Sequence, residues 1–378
     1  MRLAWVELRR FRNHEHTHLE RPPDGLTVLV GPNGEGKTNL LEGIYVLYAL
    51  GSPRVSTNAT LVQEGHEAAY ARGEFETDNG KVLVEVEIPS KGASRVKVDR
   101  SPVRRKRDVR RRVRAVLFGP FDLPIVIGDP SKRRAFLDEA VIALWPLKEG
   151  LFTAYDRALR QRNRLLKEWD RPGVPVGIEV WDEELTKAGA ALTEVRHEAA
   201  ARLAPHAAAE FAHLAGYELH VRYQPNIWPG ASPGVWPDAW QTSDLEDAFR
   251  ARIAERRGDE LARRTSLVGP HRDDLALEVR ELGARSAGSH GETWATALCL
   301  RVGLAAAVTE QLGEPPVLLV DDPFSALDPV RRDRFLDRLA VLGGQVFVSV
   351  ADEADVPSLA SAVWDVRAGT VTPRRAAP

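Results

Sequence analysis

The chain has 378 residues, of which 43 % are hydrophobic and 28 % charged, so it is a folded protein with room for two or three domains. Its net charge of −2 excludes a chain that is basic throughout, and any nucleic-acid surface must therefore be local. One cysteine, Cys299, excludes an internal disulfide framework and a Cys-x-x-Cys zinc hook. The chain start lacks the apolar core of a signal peptide. The longest membrane-like run, 302–308, is far shorter than the roughly 20 residues that cross a bilayer. We expect a cytoplasmic protein without membrane contact.

The first 50 residues predict strand, turn, strand, loop and helix. Residues 26–30 are apolar and partly β-branched, and this run stops at Gly31. After a loop, apolar residues recur at helical spacing between Leu40 and Tyr48. Residues 70–98 then alternate between apolar and polar, with a turn at 78–80, which predicts an antiparallel sheet.

The middle of the chain changes to a helical period. One apolar stripe covers 147–169, and a second covers 178–199 with the alternating steps of three and four that are typical of a coiled coil. A Pro- and Gly-rich break at 172–175 separates them, so we expect an antiparallel hairpin of two helices, each about 35 Å long. The stretch 225–240 is rich in Pro and Trp, and it can be either a rigid loop that packs its indoles or a platform for stacking bases. We favour the rigid loop.

The last part predicts a helix over 245–264, a strand at 266–268, and then alternating helices and strands up to a buried strand at 317–320. The predicted fold class is α/β, with a nucleotide-binding head that a helical arm divides in sequence. Its domains are 1–130 for the N-terminal part of the head, 131–262 for the arm and 263–378 for the C-terminal part of the head.

Residues 31–38 fit the phosphate-binding pattern G-x-x-x-x-G-K-[ST]. Glycines let backbone amides curl round phosphates, Lys37 neutralises β/γ charge, and Thr38 offers a hydroxyl to Mg²⁺. The preceding strand and following helix are the context that this loop requires. The residues expected to bind ATP here are Gly31, Pro32, Asn33, Gly34, Glu35, Gly36, Lys37, Thr38 and Asn39.

The buried strand at 317–320 ends in two acids, Asp321 and Asp322. Alone, such a run can be a strand capped by a turn. Beside a phosphate loop, the first acid is expected to hold Mg²⁺ together with Thr38, and the second to polarise the attacking water. We therefore expect Asp322, Lys37 and Asp321 to be the catalytic residues.

Two further segments resemble ABC-type ATPases. Ser289-His290-Gly291-Glu292 precedes an Ala- and Leu-rich helix and resembles the signature sequence, and Ser325–Asp328 is similar to the D-loop. A Ser and a Gly at a helix start can also be only an N-cap. The ordered set of loop, signature, acids and D-loop favours nucleotide contacts from Ser289, Gly291 and Asp328.

Four more runs resemble the RecF family of bacterial recombination-mediator ATPases. They are Phe11-Arg12-Asn13, Asp129-Pro130-Ser131 with Arg133, Arg134, Phe136, Leu137 and Asp138, Gln161-Arg162-Asn163 with Leu165-Leu166, and Gly269-Pro270-His271-Arg272-Asp273-Asp274. The chain departs from the family pattern at four places. Glu292 replaces a Gln, Trp294 an Arg, Gly119–Asp122 a Ser-Pro-Glu-Asp run, and Ser349 a switch histidine. An acid near a neighbour's γ-phosphate is expected to weaken closure and slow ATP turnover.

The resemblance implies an ABC-type ATPase head with a phosphate-loop sheet, an antiparallel β subdomain and a coiled-coil arm. It implies an ATP-dependent homodimer in which one chain's phosphate loop and the other chain's signature enclose each ATP with Mg²⁺. It also implies weak, DNA-stimulated ATP hydrolysis and clamping of duplex DNA at single-/double-strand junctions of gaps. The implied partners are RecO and RecR, and the implied outcome is RecA loading in recombinational repair, replication restart and the SOS response.

A dense basic run between 104 and 114 is the candidate DNA contact, with Arg104, Arg105, Arg110 and Arg111 as its predicted residues. Such a run can also be only a solvated face. His271 and Arg272 are either packing residues of a turn or functional residues, and only the resemblance favours the second.

Four alternatives remain open. The chain could be another ABC/SMC-like DNA ATPase, although those with Rad50-like arms are far longer. A transporter ATPase subunit would lack the arm, and a small-molecule kinase would need neither signature nor D-loop. Glu292 and the absent histidine keep open a non-hydrolysing, ATP-gated DNA-binding module, in which ATP acts through its differential affinity for the dimer.

Overall fold

The computed structural model describes residues 1–228, 242–280, 282–284 and 289–374, so most of the Pro- and Trp-rich stretch 225–240 lies outside the described residues. The chain forms two compact units. The first comprises Met1–Ile127, Pro205–Leu219 and Val279–Pro378, and the second comprises Gly128–Ala204 and His220–Glu278.

The strands in the described ranges are β1 (Arg2–Phe11), β2 (His14–Glu20), β3 (Gly25–Val30), β4 (Ala68–Thr77), β5 (Gly80–Pro89), β6 (Arg95–Val98), β7 (Ser101–Val103), β8 (Ala115–Phe118), β9 (Leu219–Gln224), β10 (Asp274–Val279), β11 (Leu282–Gly283), β12 (Val317–Asp321), β13 (Gln345–Val350), β14 (Ala362–Arg367) and β15 (Thr370–Pro373). The α-helices are α1 (Lys37–Ala49), α2 (Lys106–Arg110), α3 (Leu123–Ile127), α4 (Pro130–Leu144), α5 (Glu149–Glu168), α6 (Ile178–Ala215), α7 (Thr242–Arg263), α8 (His290–Leu312) and α9 (Pro329–Val341).

An antiparallel sheet in the first unit has the order β2-β1-β4-β5-β6-β7. Along β5, Val82, Val84, Val86 and Ile88 are buried while the residues between them are not, which is the period of two that a one-sided sheet requires. The antiparallel sheet predicted over 70–98 is confirmed. The start of the chain differs from the prediction, because three strands rather than two precede the loop. The missed strand β2, HEHTHLE, has one large apolar residue and therefore carries almost no hydrophobic signal.

The second sheet of this unit is mostly parallel and has the order β15-β14-β3-β13-β12-β8. β3, β12 and β13 are almost wholly buried, as expected for central strands covered on both faces. β13 pairs in parallel with both β3 and β12. The carboxyl ends of β3 and β12 therefore lie at one edge of the sheet, which is where ligands bind in open α/β sheets.

The second unit is mainly helical, and buried ion pairs hold it together. Arg162 of α5 is fully buried and donates to Asp182 Oδ1 at 2.7 Å, Glu260 Oε2 at 2.6 Å and Ser266 Oγ at 2.7 Å. These three partners satisfy a guanidinium that would otherwise be costly to bury.

Both predicted arm helices are present, but their lengths differ from the prediction. The 20 residues of α5 span about 30 Å and the 38 residues of α6 about 57 Å, at 1.5 Å per residue. α6 continues through Pro205, the residue at which the two units divide. Antiparallel coiled-coil packing of the arm stays a prediction.

The strand predicted at 266–268 is wrong. Side chains take the amides that a ladder would use, since Ser266 N donates to Asn163 Oδ1 at 2.7 Å and Leu267 N donates to Glu260 Oε1 at 2.8 Å. Residues 263–278 belong to the second unit, whereas they were predicted in the head. Residues 205–219 belong to the first unit, whereas they were predicted in the arm, and the other domain bounds stay a prediction.

Helix α8 is long and apolar enough to cross a membrane by length and composition, with a mean hydropathy of 1.2 in its most apolar window. Of that window, 72 % is buried inside the protein, as in the core helix of a soluble protein.

Candidate nucleotide-binding site

The loop between β3 and α1 is shaped by glycines. Gly34 and Gly36 have φ values of 87° and 114°, a region that residues with a Cβ rarely adopt. A Cβ on Gly36 would also lie 2.8 Å from Asn13 Nδ2. Lys37 Nζ donates to the loop's own carbonyls, Gly31 O at 2.5 Å and Pro32 O at 2.8 Å. Burial lowers the pKa of Lys37, against the attraction of Asp321 and Asp322.

The acids at the end of β12 face the same loop. Thr38 Oγ1 lies 2.8 Å from Asp321 Oδ1 and 2.9 Å from Oδ2. Two oxygens in neighbouring positions of a Mg²⁺ octahedron, each about 2.1 Å from the ion, are about 3 Å apart, so this hydroxyl–carboxylate pair fits that ion. Within the described ranges three His, Cys, Asp or Glu residues do not cluster as a metal site, which is consistent with a cation held by few protein ligands and by phosphates.

Ser349, at the position expected for a switch histidine, connects the two acids. Its Oγ donates to Asp321 Oδ1 at 2.7 Å and accepts from Asp322 N at 3.0 Å. Burial raises the pKa of both carboxyls, and the neighbouring charge of Asp321 adds to the shift at Asp322. The backbone of Asp322 is left-handed, with φ 49°.

A cavity of about 350 Å³ lies over these groups. It is lined by Asn33, Gly34, Gly36, Lys37, Thr38, Asn39, Arg54, Pro120, Asp321, Asp322, Ser349 and Ala351. Eight of these are residues that the motifs predicted. Gly31, Pro32 and Glu35 are not among the lining residues, and the nucleotide-binding roles of the whole set stay predictions.

Arg54 is a cavity residue that no sequence motif identified. Its Nη1 donates to Asn39 Oδ1 and to Glu42 Oε2, both at 2.9 Å. Glu42 is fully buried in α1 and also receives a two-pronged bond from Arg12, with both distances 3.0 Å. This carboxylate therefore fixes Arg54 at the cavity wall and explains why the Phe11-Arg12-Asn13 run lies beside the loop.

The loop is also braced from its other side by distant segments. Asn13 Nδ2 donates to Glu35 O at 3.1 Å, and Asn39 Nδ2 donates to Asn13 Oδ1 at 2.8 Å. In the turn between β14 and β15, Ala368 N donates to the Glu35 carboxylate and Gly369 N to Glu35 O. The side chain of Glu35 thus points to a structural turn rather than to the cavity.

The signature segment begins α8. Ser289 Oγ accepts from Glu292 N at 3.2 Å, and Glu292 Oε2 accepts from Ser289 N at 2.9 Å, which is a capping box. Asp328 is the N-cap of α9 and accepts from Arg331 N at 3.0 Å. These capping roles do not exclude contact with a nucleotide, but Ser289, Gly291 and Asp328 do not line the cavity of their own chain.

Two of the segments that depart from the RecF pattern contain core residues. Trp294 is buried, and its indole donates to Pro323 O at 3.0 Å, directly after the two acids. Asp122 of the Gly119–Asp122 run accepts from Arg301 Nη2 at 2.7 Å in the interior. Trp294 therefore supports the segment that follows the acids, whereas Asp122 is a partner of Arg301 in the core.

The predicted DNA residues divide into two groups. Arg104, Arg105 and Arg111 are exposed, and their side chains make neither hydrogen bonds nor ion pairs within the described ranges. Arg110 is half-buried and donates to Ala49 O at 2.8 Å, at the end of α1. This geometry favours a structural role for Arg110 over the predicted DNA contact.

In the second unit, the two longest runs that resemble RecF join in one buried network. Arg133 forms a two-pronged pair with Asp274 at 2.6 and 2.9 Å, and Arg196 pairs with Asp138 at 2.7 and 3.0 Å. His271 contacts Tyr155 OH, whereas Arg272 is exposed. His271 is thus a packing residue in this structure.

Comparison with known proteins shows that nearly the whole chain is similar to RecF proteins. A family model described as the RecF/RecN/SMC N terminal domain matches residues 2–368. The DNA replication and repair protein RecF of Streptomyces avermitilis is 39 % identical over 98 % of this chain and 99 % of its own, and that of Frankia alni is 40 % identical over 98 % and 99 %. A solved structure of the recombination mediator protein RecF-ATP in the RecFOR pathway is 25 % identical. It covers 99 % of this chain and 97 % of its own, with a TM-score of 0.87. The predicted fold class is confirmed.

Proposed function

Since the chain belongs to the RecF family, we propose that it is an ATP-dependent DNA-binding recombination mediator that dimerises on ATP and clamps duplex DNA at gap junctions. Its Mg²⁺-dependent ATP hydrolysis is weak, is stimulated by DNA and reopens the clamp. RecO and RecR are its partners, RecA loading is the outcome, and the protein acts in the cytoplasm.

The main support for the proposed dimer is that one chain alone forms only part of the nucleotide site. The phosphate loop, both acids and Arg54 line the cavity, whereas Ser289 and Gly291 do not. A γ-phosphate bound to Lys37 would therefore lack the signature contacts until a second copy supplied them. ATP favours the dimer because it binds the closed pair better than one chain, and such differential affinity is what shifts an equilibrium.

Each residue of the candidate site has its own role in the proposed hydrolysis. The loop amides and Lys37 bind the triphosphate, and Thr38 with Asp321 would hold Mg²⁺, which neutralises charge between the β- and γ-phosphates. Asp322 orients the attacking water.

The test compares the wild type with Lys37→Ala and Asp322→Asn by sedimentation velocity in ATP and in ADP. We expect ATP-dependent dimers for the wild type, more persistent dimers for Asp322→Asn, and monomers for Lys37→Ala. ATP turnover of Asp322→Asn should fall at least 100-fold, a loss typical of removing a group that acts in the transition state. Unchanged turnover in this variant would favour the non-hydrolysing alternative.

The exposed arginines are the proposed DNA contact. Replacing Arg104, Arg105 and Arg111 by Gln removes three phosphate contacts per chain, so the slope of log K against log salt should flatten by about 3 units per chain. Arg110→Gln is the matched control, because its guanidinium bonds Ala49 O, and its slope should equal that of the wild type. Binding is measured on gapped and on blunt duplex DNA with ATP and with ADP. Binding that ignores both nucleotide and gap would reject the junction clamp.

A further inference from the structure

Glu292 occupies a position where an acid is expected to repel a neighbour's triphosphate, yet its carboxylate is enclosed by donors. Besides Ser289 N, it accepts from Tyr217 OH at 2.5 Å, and Arg280 Nη2 lies 3.6 Å away. Only 14 % of its side chain is exposed. The hydrogen bond from Tyr217 is the main cause that lowers the pKa of Glu292, so the group is held as a carboxylate.

Two arginines complete this enclosure. The Arg280 guanidinium lies over the ring of Tyr217, 3.9 Å from its centroid, which is a cation–π contact. Arg331 Nη2 donates to Tyr217 OH at 3.3 Å. The hydroxyl of Tyr217 therefore donates a hydrogen bond to Glu292 and accepts one from Arg331. Arg280 is thus the positive charge beside Glu292, and Arg331 holds the hydroxyl of Tyr217 from the other side.

The same arginine reaches both nucleotide-facing segments. A Cβ on Gly291 would lie 3.2 Å from Arg331 Nη1, so the guanidinium packs directly against the signature glycine. Arg331 Nε also lies 3.5 Å from the carboxylate of Asp328 in the D-loop-like segment. Tyr217 follows the last residue of α6 by two positions, so this residue connects the end of that helix with the signature and the D-loop.

We propose that Tyr217, Arg280 and Arg331 form a charge cage in which Arg280 offsets the charge of Glu292 and Arg331 fixes Tyr217 and the signature glycine, so that a signature with an acid can face the triphosphate held by a second copy. Tyr217 is then a positioning residue that acts through Glu292, and Arg280 offsets a charge that a Gln would not bring. This inference rests on the proposed ATP-dependent dimer.

A double-mutant cycle tests the cage. Arg280→Gln and Tyr217→Phe are each made in the wild type and in Glu292→Gln, and the ATP-dependent dimerisation constant is measured by sedimentation velocity. With Glu292 present, we expect each change to weaken dimerisation about tenfold, as for loss of a hydrogen bond to a charged group. In the Glu292→Gln background Arg280→Gln should change it less than twofold, because no negative charge is left to offset.

Two controls distinguish a positioning role of these residues from a general loss of structure. ATP affinity of the monomer, measured with a fluorescent analogue, should not change, because the cage residues lie outside the cavity. Arg222→Gln removes a comparable Arg–Glu pair, with Glu278, in the other unit and should leave dimerisation as in the wild type. Equal losses in both backgrounds would overturn the cage, since the arginine would then act independently of Glu292.

A second readout needs no dimer. The pKa of the Glu292 carboxyl, followed by NMR of labelled glutamate, should rise in Arg280→Gln and in Tyr217→Phe. An unchanged pKa in both variants would overturn the cage on its own. A wild type that fails to dimerise with ATP, but whose Glu292 pKa responds as expected, would instead reject the proposed function and leave the cage in place.

Discussion

His271 gives the stability of the second unit a defined pH dependence. Its Nε2 lies 3.1 Å from Ser266 O, a carbonyl that can only accept, so this nitrogen carries the proton and Nδ1 accepts from Tyr155 OH at 2.6 Å. The neutral ring is fully paired, and burial lowers the pKa of His271 from 6.5 to about 4. The unfolded chain, with a pKa near 6.5, therefore binds more protons between pH 6.5 and 4.

In that range the free energy of unfolding falls as the pH falls. The full shift corresponds to about 3 kcal/mol, of which about 2 kcal/mol is lost between pH 7.5 and 5. His271→Gln removes this titration, so its deficit in stability relative to the wild type should shrink by about 2 kcal/mol over the same range. Urea unfolding of both proteins at pH 7.5, 6.5, 5.5 and 5 measures the deficit. His18→Gln, on the exposed face of β2, is the surface control. A deficit that stays constant with pH would refute the assignment of a neutral, buried ring.

Two further predictions concern the brace behind the phosphate loop. Asn13→Ala removes the hydrogen bonds to Glu35 O and Asn39. ATP affinity, measured by nucleotide titration, should therefore fall about tenfold while thermal stability changes little. An unchanged affinity would show that the loop keeps its shape without these bonds. Gly369→Ala places a Cβ 2.2 Å from Asn13 O at a residue whose φ is 76°. We expect the free energy of unfolding, measured in urea, to fall by about 2–4 kcal/mol. An unfolding midpoint equal to that of the wild type would mean that this turn moves away from Asn13 without cost.

The phosphate-loop half of the candidate site was predictable because its residues are consecutive. A phosphate loop is one stretch of chain, and its spacing alone brings Lys37 and Thr38 to the end of β3. The acids after β12 add only the rule that parallel strands end at one edge of the sheet. The eight motif residues that line the cavity follow from these two local signals.

The rest of the site depends on contacts between residues that are far apart in sequence. Glu35 is braced by Ala368, 333 residues away, and Tyr217 reaches Glu292 across 75 residues. No periodicity or spacing encodes such pairs, and Tyr217 or Arg54 looks like any surface residue in the sequence. The wrong strand at 266–268 has the same origin, because Asn163 and Glu260 claim its amides from other helices.

The departures from the RecF pattern do not have equal consequences for ATP turnover. Glu292 and Trp294 each have partners within the chain: Tyr217 and Arg280 for the acid, and Pro323 O for the indole. Ser349 is different. It can hold Asp321 and the amide of Asp322, but a hydroxyl does not titrate near neutral pH and cannot exchange a proton with the reaction as an imidazole does. In the proposed hydrolysis we therefore expect Asp322 alone to exchange a proton with the attacking water. We therefore expect Ser349 to make the proposed hydrolysis slow, and we expect Glu292→Gln to leave the rate of the assembled dimer nearly unchanged in steady-state turnover.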